Sequence, residues 1–165
     1  MPNIWNFDTA EWRKMLKSLF SNDTGHNHDG YNSAQIEVKT ESTYSTAGNL
    51  TITSAMVLGG LLTRDPNGGN RTDTLPTAAL LVAAIAASKN ENMLQRAEYP
   101  RVGLELKFLI VNTADAAETI TVAAGEGGTM HPTTPTIAQN TAKQFLIKLT
   151  NVTSGAEAYD VFAMN

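Results

Sequence analysis

The chain contains no cysteine, so a disulfide framework, a thiolate nucleophile and a thiolate zinc site are excluded, and stability must come from packing or subunit association. Charge is scarce as well. Asp, Glu, Lys and Arg make up 17% of the 165 residues, against about 25% in an ordinary soluble domain, and the deficit points to surface covered by a partner. The net charge of −4 comes without a block of like charges. That argues against a nucleic-acid partner, because displacing counterions from phosphates takes clustered Lys and Arg. Long hydrophobic runs are missing too. The longest apolar stretch, Ala78 to Ala87, is about half of the ~20 residues that cross a bilayer, so no membrane partner is expected. The opening residues Met1 to Asp8 lack the basic stretch and continuous apolar run of a secretory signal, and nothing in them directs export.

What fills the gap is threonine, asparagine and serine, which suit strands and turns and tilt the fold class away from all-helical. The length fits one packed domain with an appendage. Residues 8–20 read as an amphipathic helix, with Trp12, Met15, Leu16, Leu19 and Phe20 at helical spacing opposite Glu11, Arg13, Lys14 and Lys17. Asp8 caps its first turn, Glu11 stands at the capping-box position, and Phe7 and Trp12 occupy the two ends of a hydrophobic staple. A turn-rich linker of Asn, Asp and Gly follows, from Ser21 to about Ser33. A helix on such a linker cannot bury its apolar face alone, so it docks on its own domain, on a neighbouring subunit or on another protein. Trp5, Phe7, Trp12, Met15, Leu16, Leu19 and Phe20 are the candidate binding residues of this arm, residues 1–33.

From Gln35 the pattern turns to short β segments, first Leu50–Thr53 and Val57–Thr63, then a turn-rich loop from Arg64 to Asp73. Thr74-Leu75-Pro76-Thr77 opens a second helix that runs to about Ser88, with proline where its missing N–H costs nothing. Val102 to Val111 alternates Val102, Leu104, Leu106, Phe108 and Ile110 against Gly103, Glu105 and Lys107, the pattern of a half-buried strand. Thr119–Ala123, Lys143–Thr150 and Ala156–Phe162 add strands, the last two joined by a Thr153-Ser154-Gly155 turn. The expected fold is mainly β: an antiparallel sandwich or barrel with a short internal helix over residues 34–165, plus an N-terminal amphipathic helix and linker arm.

No constellation of catalytic residues stands out, and no enzyme or cofactor is expected. The three histidines, His26, His28 and His131, lie in glycine- or proline-flanked loops, and Gly125-Glu126-Gly127-Gly128 is not followed by the Gly-Lys-Ser/Thr of a phosphate loop. Asp65 to Asn70 matches a calcium loop only loosely, with a proline early in the run and no glutamate at the closing position. Arg64, Asp65, Arg71 and Asp73 are read instead as pairing locally or across subunits to fix a long loop. His26 and His28, two apart, project to one side of an extended chain; a polar turn beside Asp29 is preferred over a metal site.

Two stretches resemble a known family and together cover most of the chain. Gly25-His26-Asn27-His28-Asp29-Gly30-Tyr31-Asn32-Ser33 resembles a segment near the start of many phage fibre and head-fibre proteins. From Leu58 to Phe162, the runs 59–68, 72–78, 108–113, 119–125 and 149–158 resemble, in order, phage head-fibre and capsid decoration proteins; Gly125 to His131 departs from the pattern. The resemblance implies a β-rich homotrimer seated on the outer capsid surface of a virion, bound to the major capsid protein and often placed at threefold or quasi-threefold positions. Residues 1–33 would then be the capsid anchor and 34–165 the trimerising domain. In some phage fibres His-x-His pairs from three chains hold an octahedral iron, the role that the resemblance would give to His26 and His28. A module that binds bacterial surface glycans through loops 64–73 and 125–135 is the alternative.

Overall fold

The computed structural model describes residues 40–88 and 100–164. The expected arm with its helix over 8–20 lies outside them, and with it Trp5, Phe7, Trp12, Met15, Leu16, Leu19, Phe20, His26 and His28. The described elements follow in the order β1 (Thr40–Ser45), α1 (Ser54–Gly59), β2 (Gly60–Asp65), β3 (Arg71–Thr74), α2 (Ala78–Ala87), β4 (Glu105–Asn112), β5 (Ile120–Ala123), β6 (Gly128–His131), β7 (Thr136–Ile137), β8 (Ala142–Asn151) and β9 (Ala158–Met164). They form a six-stranded sheet in the order β1-β2-β4-β8-β9-β6 and a three-stranded sheet in the order β3-β5-β7.

The fold is mainly β, as expected, but the sheets are mixed and not antiparallel. β1–β2, β2–β4, β3–β5 and β6–β9 run parallel; β4–β8, β8–β9 and β5–β7 run antiparallel. The reason lies in the connections. Parallel neighbours need a crossover, and α1 lies in the one that joins β1 to β2. Among the described strands, β8 and β9 are the one antiparallel pair consecutive in sequence. Their connection is the expected turn, closed by the Ala156 N–H donating to the Thr153 carbonyl at 2.9 Å.

Several segment expectations are corrected. Val57–Thr63 begins as helix and not strand: the Thr53 hydroxyl accepts the Met56 N–H at 3.3 Å as an N-cap, and Gly60 (φ 81°) ends the helix in the left-handed conformation. Six residues make a weak helix alone, and this one is held by Val57, which is buried. Leu50–Thr53 makes only an isolated bridge, Thr51 opposite Thr74. The loop from Arg64 to Asp73 is shorter than expected, because β2 and β3 take up its two ends. Val102, expected on the buried face of a strand, is exposed in the turn before β4; alternation holds from Leu106 to Asn112. The second helix begins at Ala78, directly after the expected opening Thr74–Thr77, with the Thr77 hydroxyl accepting the Leu80 N–H at 3.2 Å, and Pro76 precedes this N-cap instead of standing in the first turn.

One core unites both sheets and both helices. Leu62, Phe108, Ile110, Phe145, Ile147, Leu149 and Val161 point inward from the large sheet, Ile120, Val122 and Ile137 from the small one, and Val57, Leu81, Val82 and Ile85 from the helices. Phe108 and Phe145 stand opposite each other on β4 and β8 with their rings stacked at 5.2 Å.

Candidate functional site

Helix α2 reads AALLVAAIAA and carries no polar side chain. Ala78, Leu81, Val82 and Ile85, at helical spacing, are buried in the core, while Ala79, Leu80, Ala83 and Ala87 on the other side are exposed. Leu80 is 61% exposed. A helix apolar on every side is ordinarily covered on every side, and among the described residues nothing covers this outward face. It forms one wall of an open groove of about 680 Å³, through Leu80, Ala83, Ala84 and Ala87. Thr51 to Ala55, Thr74 to Thr77, Gly125 and Glu126 complete its lining. Small side chains keep the groove open, and its apolar lining suits a packing partner better than a polar ligand.

Beside the groove, Arg64 and Asp73 form a buried ion pair, 3.0 Å from Nε to Oδ2, with both side chains fully enclosed. The guanidinium donates also to the carbonyls of Thr46 (2.9 Å), Gly48 (2.6 Å) and Asp65, and it lies over the Tyr44 ring at 5.5 Å. Asp73 accepts the Leu50 N–H on its other oxygen at 2.8 Å. The pair lies inside the protomer and ties β2, β3 and the segment 46–50 together. Among the described residues Arg71 bonds no carboxylate; its guanidinium donates to the carbonyls of Pro66 (3.1 Å) and Asn67 (3.3 Å). Asp65 accepts the Ser45 hydroxyl (2.9 Å) and the Asn67 N–H (3.0 Å). The turn between β2 and β3 passes through Asn67, Gly68 and Gly69 at φ 49°, 92° and 146°, a run open to glycine and asparagine.

Tyr159 fixes the entry to α2. Its hydroxyl donates to the Pro76 carbonyl at 2.8 Å and accepts the Gly125 N–H at 3.0 Å. Burial pushes the hydroxyl above its ordinary value of 10.0, and the bond from Gly125 acts in the opposite direction. A side chain at Gly128 would collide with the Tyr159 ring, which explains a glycine inside strand β6.

Two further groups were not singled out from the sequence. Asp65, Asp115 and Glu118 bring carboxylate oxygens within 4.8 Å of one another, although only Asp65 belongs to the loop that resembles a calcium site. On the edge strand β6, His131 stacks on Phe162 with ring centroids 5.1 Å apart, and its Nε2 lies 3.5 Å from Asp160 Oδ1. No helix among the described residues is long and apolar enough to cross a membrane. Compared with known proteins, the chain matches no family model, no curated sequence and no solved structure.

Proposed function

We propose that the chain is a non-enzymatic structural subunit of a phage virion: a homotrimeric decoration or head-fibre protein that binds the major capsid protein on the outer capsid surface and stabilises the shell. The observation that supports the association is the outward face of α2, an apolar helix flank that is exposed among the described residues. The low charge content and the resemblance of residues 25–33 and 58–162 to phage proteins support the virion setting. A trimer presents three copies of residues 1–33 at once, so weak single contacts combine through effective concentration into a long-lived attachment. Binding the assembled shell and not free capsid subunits stabilises the shell by linkage.

Co-sedimentation of the full-length protein with purified shells of its own phage tests the proposal. The full chain is expected to pellet with shells, and a chain lacking residues 1–33 to remain in the supernatant. Equal pelleting of both chains contradicts the anchoring role of the arm, and no pelleting of the full chain contradicts the decoration reading. A second reading, glycan adhesion, draws support from the exposed stack of His131, within the 125–135 segment, on Phe162, since aromatic faces recur in recognition sites. Saturable, specific binding on a glycan array favours it; an array with no binding excludes it.

A further inference from the structure

Parallel strands β2 and β4 end on the same side of the sheet, with Arg64 opposite Asn112, so the segments that leave them are neighbours. Asn112 is buried and folds the second segment back on itself. Its Oδ1 accepts the Ala114 N–H at 3.0 Å, and its Nδ2 donates to the carbonyls of Glu118 (2.9 Å) and Ile137 (3.0 Å). The result sets Asp115 and Glu118 against Asp65, the last residue of β2, with one carboxylate oxygen of each within 4.8 Å of the others. Oxygens bound to one calcium ion at about 2.4 Å can stand up to about 4.8 Å apart, so the three can share an ion.

An acidic cluster alone does not make a site; the state of Glu118 does. Glu118 is buried at 7% exposure, and one of its carboxylate oxygens lies within 4.8 Å of an oxygen of each aspartate. Oε1 accepts the Gly68 N–H at 2.8 Å, but Oε2 is buried with no hydrogen-bond partner. Among the described residues none of the three carboxylates has an ion pair. A buried carboxylate oxygen left without donor or counter-charge is costly, and a cation removes that cost. Each oxygen of Asp65 already accepts one hydrogen bond and retains a second lone pair for a metal.

We infer that Asp65, Asp115 and Glu118 form a calcium site. The donors are all hard oxygens, which excludes the softer ions that prefer nitrogen or sulfur. Three carboxylates held by the protein suit calcium, which takes six to eight oxygens in flexible geometry, better than magnesium, which keeps most of its water. Asp115 is exposed, leaving room for water to complete the shell. The closing carboxylate that the 65–70 loop lacks is supplied by Glu118, from the segment after β4. The ion would clamp that segment to the turn between β2 and β3.

Calcium titration of the full-length protein by calorimetry, with melting in about 10 mM calcium chloride and in EDTA, tests this. Wild type is expected to bind one ion per chain with a dissociation constant of about 10⁻⁴–10⁻³ M, the range of extracellular calcium modules, and to melt at least about 3 °C higher with calcium. Asp115→Asn, at an exposed position, is expected to melt like wild type in EDTA yet bind calcium at least about tenfold more weakly. Glu118→Gln is expected to lose the calcium shift. No heat and no shift in wild type overturns the site, as does an undiminished response in Asp115→Asn; an equal response to magnesium overturns the choice of calcium. None of these outcomes depends on trimerisation or capsid binding.

Discussion

Arg64 shows how one residue joins three parts of the chain. Its guanidinium neutralises Asp73 and satisfies the carbonyls of Thr46, Gly48 and Asp65 in a site closed to water. Arg64→Met removes every one of these bonds and leaves a buried, unpaired carboxylate, which typically costs about 3–5 kcal/mol. Urea unfolding of this variant is expected to show a loss of that size; a loss under about 1 kcal/mol contradicts the account. Tyr159 gives a second test, through pH. Its folded-state pKa is raised above 10.0, so its contribution is full below pH 10 and is lost as pH rises through 10 toward the folded value. Tyr159→Phe strands the Pro76 carbonyl and the Gly125 N–H, at about 1–3 kcal/mol near neutrality. The gap in stability between wild type and variant is expected to narrow above pH 10, and a gap that is constant across that range contradicts the burial argument.

At the scale of elements, the two faces of α2 give separate predictions, one for core packing and one for the proposed association. Leu81 points into the core, so Leu81→Ala is expected to cost about 2–5 kcal/mol in unfolding experiments. Leu80 points outward, and Leu80→Asp is expected to leave protomer stability within about 0.5 kcal/mol while splitting the oligomer. The new carboxylate would stand in the first turn, where the helix dipole favours it. Retained oligomer mass in Leu80→Asp contradicts the assignment of this face. The start of α2 was legible in the sequence because Pro76 and Thr77 mark it locally, and the strand after Leu104 because alternation is a local signal. α1 was not, since Val57 holds it through tertiary packing and the run Val57–Thr63 carries as much β character as helical. Parallel pairing was hidden for the same reason: nothing local in Gly60–Asp65 records that its neighbours are β1 and β4.

The described residues combine a mixed-sheet body, a buried polar lock and an apolar helix flank that no other described element covers. The candidate residues were only half legible. Arg64 and Asp73 stood out as opposite charges in one loop, but Arg64 shares the inner face of β2 with Leu62, and only the strand's placement shows that it is buried. Asp115 and Glu118 carry no motif because their partner Asp65 lies 50 residues upstream of Asp115 and meets them through the parallel pairing of β2 with β4. Self-association is the claim on which the proposed function depends. Light scattering coupled to size exclusion on the full-length protein tests it most directly: the account predicts three times the 17.7 kDa mass of one chain, and the mass of a single chain at all concentrations would contradict it.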